Sequence, residues 1–179
     1  MVYVLLGTGF EEIEALAPVD LMRRAGIDVL TVGITGKIVY GGHNIGVEAD
    51  ITLDEMDLTD LEMIMLPGGL GGVASCRACQ GALDALRFAW ENGKFVAAIC
   101  AGPTVLADLG ITDGKQATCY PGCEDGMGSA KVSEVACIKD GRLITGASAG
   151  CAIPFALALI EALKGPETAK KIAQQIVIR

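Results

Sequence analysis

Short apolar runs recur along this chain at intervals that leave room for a helix between them, and that spacing restricts the fold more than any other feature. The runs are VYVLL (2–6), DVLTVGI (28–34), MIMLPGG (63–69), FVAAIC (95–100), ATCY (117–120) and LITGAS (143–148). Continuous apolar stretches of this length suit strands buried on both faces of a parallel sheet. Between them lie helical patterns. FEEIEALAPVDLMRRAG closes on Gly26 after two arginines, as a helix C-terminus does, and ALDALRFAWENG closes on Gly93. PTVLADLG follows Cys100, and AIPFALALIEALKG and PETAKKIAQQIV end the chain, with Pro166 opening the last helix. Strands alternating with helices predict an α/β fold, a mostly parallel sheet with helices on both faces. KIVYGGHNIGVEADITLDE breaks the rhythm and reads as a small β-hairpin excursion turning at Gly41–Gly42. Residues 1–179 form one expected domain, with no repeat, linker or low-complexity tract.

Several function classes drop out on composition. Hydrophobic residues make up 51% of the chain, yet no apolar run reaches the ~18–20 residues of a membrane span. The N-terminus has no basic stretch before its apolar run and reads as a buried first strand, so no membrane partner is expected. A net charge of −8 argues against nucleic acid, whose binding needs Lys and Arg against phosphate. Seven cysteines without a secretory signal read as reduced thiols, which points to the cytoplasm.

In a parallel sheet every strand delivers its carboxyl end to one edge, where ligands bind. Three unusual loops fall at such ends: GTGFEEIEAL after the first strand, PGGLGG after MIML, and CAGPT after FVAAI. Topology therefore brings Glu14, Gly68–Gly69 and Cys100 together. Cys100 stands where a strand must turn at once into a helix, the logic of a nucleophile elbow. A helix N-terminus there stabilises thiolate and is expected to lower the thiol's pKa. The N–H groups at Gly68 and Gly69 are candidates for an oxyanion hole. Glu11 and Glu12 are accounted for by the helix dipole, whereas Glu14 is placed on the Ile13/Leu16/Ala17 side, where a partly buried, protonated carboxyl fits.

Cys76-x-x-Cys79 has no second pair with ligand spacing, and the single histidine, His43, is distant in sequence. Neither a metal nor a cofactor is expected. Cys119 and Cys123 flank Tyr120–Pro121 near another strand end and read as core or loop thiols.

GTGFEEIEALAPVDLMRRAGI, LPGG at 66–69, AAICAGP at 97–103 and FALALIEAL at 155–163 together resemble the DJ-1/ThiJ/PfpI superfamily, and within it the DJ-1 branch. The resemblance covers essentially the whole chain. It implies a flavodoxin-like sandwich, a homodimer, and a readily oxidised cysteine on the elbow. By position it makes Cys100 the nucleophile and Glu14 the glutamate bonded to its sulfur. Gly68, Gly69 and Ala101 become the residues whose N–H groups surround it. Arg24 falls at the implied dimer interface, with the helix around Ala15, Leu16, Val19 and Met22 packing on its twofold mate. His43 stands where the branch has an arginine near the partner subunit's pocket, and Tyr120 where many members carry histidine. Ala101 also occupies the place of the peptidase-like branch's histidine, which disfavours proteolysis. GASAGCA replaces a Gly-Pro-Gly-Thr segment, which alters the pocket's shape.

The expectation for function is a cysteine-dependent enzyme of reactive-carbonyl and oxidative-stress defence. In this glyoxalase III or deglycase-type reading, Cys100 adds to a small α-oxoaldehyde and Glu14 moves protons. The alternative is a non-enzymatic redox sensor or chaperone in which peroxide oxidises Cys100. A thiamine-pathway or intracellular protease role stands third.

Overall fold

The computed structural model describes residues 1–178. Along the chain run β1 (Val2–Leu6), α1 (Glu12–Arg24), β2 (Val29–Gly33), β3 (Ile38–Tyr40), β4 (Gly46–Glu48) and β5 (Ile51–Thr52). Next come β6 (Met63–Leu66), α2 (Leu70–Ala78), α3 (Gln80–Glu91), β7 (Phe95–Ile99), α4 (Pro103–Asp108) and β8 (Gln116–Ala117). The chain closes with β9 (Lys131–Val132), β10 (Cys137–Asp140), β11 (Leu143–Gly146), α5 (Ala152–Lys164) and α6 (Pro166–Gln175).

Seven strands form the central sheet in the order β10-β11-β7-β6-β1-β2-β5. Every pairing is parallel except the β10–β11 hairpin at one edge. Counting only β1, β2, β6, β7 and β11, the order is the 2-1-3-4-5 of flavodoxin-like folds, with the switch point between the first and third of these strands. β1 and β6 therefore diverge in their connections, and the crevice lies above their carboxyl ends, beside that of β7.

The strands read as unbroken apolar runs because both faces are covered. Val2, Val4 and Leu6 join Met63, Met65, Ala97 and Ile99 in one core, closed by α1, α5 and α6. Tyr3 and Leu5 point the other way, with Ile64, Leu66, Val96 and Ala98, into a core closed by α2, α3 and α4. The period of two thus divides each strand between two dry interiors.

Three local expectations are revised, and two elements are added. ATCY is not a strand of the central sheet: only Gln116–Ala117 is extended, in a small parallel pair with β9. Antiparallel β10 and helix α2 carry no separate signal in the sequence reading. On α1 it is Glu14 that faces inward, 1% exposed, while Ile13 is 56% exposed. Ala15, Val19 and Met22, expected at a twofold contact, are buried within this chain's own core against α5.

Phe155 is completely buried on α5 and packs in the same core as α1. Phe155→Ala should cost about 3–5 kcal/mol through lost transfer energy and the residual cavity, read as a lower urea midpoint.

Candidate active site at the β1, β6 and β7 strand ends

Cys100 follows β7 with φ of 64°, a left-handed backbone that costs a side-chain-bearing residue about 1–3 kcal/mol. The surroundings over-determine it. Its N–H donates to Gly146 O at 2.9 Å, and its carbonyl accepts the Tyr120 N–H at 2.9 Å. Gly102 N–H donates to Ile99 O at 2.9 Å, closing the turn into α4. β7 and β11 therefore fix the elbow from one side and the loop after β8 from the other.

Glu14 reaches the same point from the first turn of α1. Its Oε2 accepts the Gly68 N–H at 2.9 Å. Its Oε1 is buried with no hydrogen-bond partner, and the carboxyl as a whole interacts with the Cys100 thiol. A buried carboxylate oxygen left bare is expensive, whereas a protonated carboxyl lowers that cost and can donate toward the sulfur. Gly68 admits this approach because it has no side chain. A Cβ there would lie 2.5 Å from Glu14 Oε2 and 2.6 Å from Cys100 Cβ. Gly69, at φ of 85°, leads into α2, and its N–H and that of Ala101 face the sulfur.

Burial pushes the Glu14 carboxyl up from 4.5 to about 7, against the pull of the Cys100 thiol and the Gly68 N–H. Burial first, then the neighbouring Glu14 charge, pushes the Cys100 thiol up to about 12, against the Ala101 and Gly69 N–H groups. The thiol of the resting pair is thus not the acidic group expected from a helix N-terminus, since burial outweighs those N–H groups. The Glu14 contribution, however, titrates. While the carboxyl keeps its proton there is no charge to repel a thiolate, and the repulsion becomes a donated hydrogen bond.

The predicted site residues divide cleanly. Cys100, Glu14, Gly68, Gly69 and Ala101 meet, with Gly68's N–H committed to Glu14 rather than to the sulfur. Tyr120 lines the same cavity, which measures about 280 Å³ and is also bounded by Glu11, Leu70 and Cys123. Arg24 stands apart, a whole helix length from Glu12, with its Nε donating to Asp20 at 2.7 Å. His43 lies in the turn between β3 and β4, where its N–H donates to Glu12 Oε1 at 2.8 Å and its Nδ1 is 2.9 Å from Glu12 Oε2. That contact, helped by Glu11, raises the imidazole's pKa. Each glutamate of the first α1 turn thus has its own place: Glu11 at the cavity, Glu12 holding the hairpin, Glu14 under the cysteine. The sequence reading missed Glu11, Leu70 and Cys123 as cavity residues. Only the spacing of Cys119 and Cys123 hinted at one of them.

Cys76 is wholly buried on α2, and Cys79 stands at its end, so this pair packs rather than presenting ligands. A second cavity of about 330 Å³, lined by Cys119, Val132, Ala147 and Cys151 among others, lies beyond the 118–124 loop and holds none of the Glu14–Cys100 machinery.

Residues 1–162 match the DJ-1/PfpI family. Protein dj-1beta of Drosophila melanogaster is 35% identical over 98% of this chain and 95% of its own length. A Caenorhabditis elegans relative named glutathione-independent glyoxalase DJR-1.2 is 30% identical, over 94% of this chain and 90% of its own. Among solved structures, oxidized Toxoplasma gondii DJ-1 superposes with a TM-score of 0.94 at 34% identity, covering 98% of this chain and 97% of that one.

Because the folded Glu14 carboxyl titrates higher than the unfolded one, its contribution to stability is complete below pH 4.5 and is lost as pH rises through about 7. The loss is roughly 3 kcal/mol. Urea midpoints measured across that window should fall more steeply for wild type than for Glu14→Gln. The difference between the two proteins isolates Glu14 from His43, whose own pKa is raised by Glu12 and Glu11.

Proposed function

The chain belongs to the DJ-1/PfpI family, and from that premise we propose that it is a cysteine-dependent enzyme of reactive-carbonyl defence, converting small α-oxoaldehydes such as methylglyoxal to hydroxy acids. One observation carries the reading: a buried carboxyl with one bare oxygen lies against a cysteine held at positive φ over a small cavity. The relative named as a glyoxalase supports the substrate class.

In this reading the Cys100 sulfur attacks the aldehyde carbon while the carbonyl oxygen takes the proton from Glu14, giving a hemithioacetal. Ionised Glu14 then removes the proton from the former aldehyde carbon and returns one to the adjacent carbon through an enediol. The product is a thioester of the hydroxy acid. Water hydrolyses it and restores the thiol, so the net change is addition of one water. The Gly69 and Ala101 N–H groups oppose the charge that develops near the sulfur. The same addition to early glycation adducts would constitute deglycase activity. At about 280 Å³ the cavity falls near the lower bound of small-molecule sites, which suits a three-carbon carbonyl.

A redox role is the second reading. Gly69 and Ala101 can donate to sulfur-bound oxygens, as Glu14 can when protonated, and the solved structure of the Toxoplasma relative is of an oxidized protein. A peptidase role lacks a base, because the single histidine is tied to Glu12 in the hairpin. Seven free cysteines suit the reducing cytoplasm, and no helix among the described residues is long and apolar enough to cross a membrane.

A homodimer belongs to the same proposal. Its surface is drawn from exposed Ile13 together with Ile38, Tyr40 and Ile45 of the hairpin, which Glu12 ties to α1. Light scattering at micromolar protein should give a dimer mass; a stable monomer would refute it.

Lactate formation from methylglyoxal without glutathione tests the enzyme reading. Cys100→Ser should abolish it, and Glu14→Gln should lower it by about 10²-fold or more. Glu14→Gln should also bring the thiol's titration down, because it removes a negative neighbour and keeps a donor. Full turnover in Cys100→Ser would sink the reading, and full turnover in Glu14→Gln would leave the carboxyl a structural partner only.

A further inference from the structure

We propose that Cys123 is a resolving thiol for Cys100: after a hydroperoxide oxidises Cys100, the two close an intramolecular disulfide across the cavity they both line. This rests on Cys100 being the reactive thiol, though not on its carbonyl chemistry.

Two hydrogen bonds bring Cys123 back to the elbow. The Cys100 carbonyl accepts the Tyr120 N–H at 2.9 Å, and the Tyr120 carbonyl accepts the Cys123 N–H at 2.9 Å. The second bond closes a turn that folds Cys123 over the pocket, where it joins Gly69, Leu70, Ala101 and Cys100 in the lining. Cys119, at the other end of this short loop, is buried and lines the separate cavity beyond it. Of the two loop thiols, Cys123 is the one that shares a cavity with Cys100, although it also packs against Cys119. One bond, from the Tyr120 N–H to the Cys100 carbonyl, ties the loop to the elbow, and the turn beyond it is at the surface. Cys100 is clamped between β7, β11 and α4, whereas Tyr120, Pro121 and Gly122 are exposed and belong to no strand. A disulfide needs Cα atoms about 4.4–6.8 Å apart, so the surface turn makes the final approach and the sheet stays as it is. Burial first, and then Glu124, raises the Cys123 thiol's pKa, with the nearby Arg77 opposing them.

The chemistry balances without a further co-reactant. The Cys100 sulfur attacks the distal oxygen of the hydroperoxide, the O–O bond breaks, and the leaving alkoxide or hydroxide takes the proton released by the thiol. Cys123 sulfur then attacks the sulfenic sulfur, the S–O bond breaks, and hydroxide leaves as water with the Cys123 proton. Two thiols lose two electrons and two protons, and the peroxide becomes an alcohol or water plus one more water. The disulfide covers the nucleophile reversibly and diverts it from sulfinic acid, which thiols do not reduce.

Peptide mapping without reduction tests this on the full chain after limited hydrogen peroxide. Trypsin separates Cys100 (peptide 95–115) from Cys119 and Cys123 (peptide 116–131). The expected result is loss of two of the seven free thiols, one cross-link between these peptides, and full reversal by dithiothreitol. Cys119→Ser should keep the link. Cys123→Ser and Cys123→Ala should lose it, leaving a dimedone-trappable sulfenic acid at Cys100 that proceeds to sulfinic acid. Sulfinic acid forming at Cys100 equally fast in wild type and Cys123→Ser, with no cross-link, overturns the proposal while leaving Cys100 the reactive thiol. A link from Cys119 or Cys151 instead overturns it as well. If Cys100 is neither the first thiol oxidised nor the first alkylated by iodoacetamide, the reading beneath it falls too.

Discussion

Glu14 and Cys100 interact closely enough for the protonation of one to govern that of the other, and burial raises the cost of ionising either. Glu14 is 1% exposed, one of its oxygens is occupied by the Gly68 N–H, and the other is buried with no hydrogen-bond partner. Ionising the carboxyl leaves a bare buried charge, and ionising the thiol over an already ionised carboxyl places two anions in contact. The stable singly ionised arrangements are therefore thiolate with carboxylic acid, or thiol with carboxylate, exchanged by moving the proton between the two. Much of the local architecture serves that exchange. Gly68 lacks a side chain because one would overlap both partners. Cys100 takes a strained φ because a relaxed strand end would not present its sulfur over the edge.

The sheet supplies the rigidity this needs. Each central strand is packed on both faces, so the ends of β1, β6 and β7 cannot shift independently. Glu14 comes from the helix that follows one strand, and the glycines and cysteine from the loops that follow the other two. Glu12 adds a second tie by accepting two bonds from His43, which holds the β3–β4 hairpin against the start of α1. This fixes the helix turn from which both Glu11 and Glu14 project.

Much of this was legible in the sequence because it depends on local signals. Apolar runs of strand length marked β1, β2, β6, β7 and β11, and small residues after FVAAI marked the elbow. Parallel topology then placed Glu14, Gly68, Gly69 and Cys100 together. What escaped depends on tertiary contact. ATCY is as apolar as a strand, but Thr118 turns its N–H to the Thr145 side chain instead of to a sheet neighbour. The side of α1 that faces inward was misjudged at Ile13: Glu14 shares the buried face with Pro18, Leu21 and Met22, and the helical spacing leaves Ile13 outside it. Glu11 and Cys123 were hidden for a different reason. Whether a loop residue meets a cavity depends on how the loop folds back, here through the Tyr120 and Cys123 N–H bonds, and no periodicity encodes that.

The residues around the sulfur also decide what kind of acid–base chemistry is available. Ala101 carries no titratable group, Tyr120 places a phenol in the lining, and the sole histidine is engaged by Glu12 at 2.9 Å. Glu14 is thus the carboxyl in contact with the thiol, and Glu11 is a second acid at the rim whose charge helps keep Glu14 protonated. A site with one shared proton can deliver it to a carbonyl oxygen and recover it from carbon in the same turnover. A peroxide needs only the thiolate and a cavity large enough to admit it. In the proposed readings, carbonyl chemistry and oxidation would therefore compete for the same sulfur, with the protonation of Glu14 setting the terms for both.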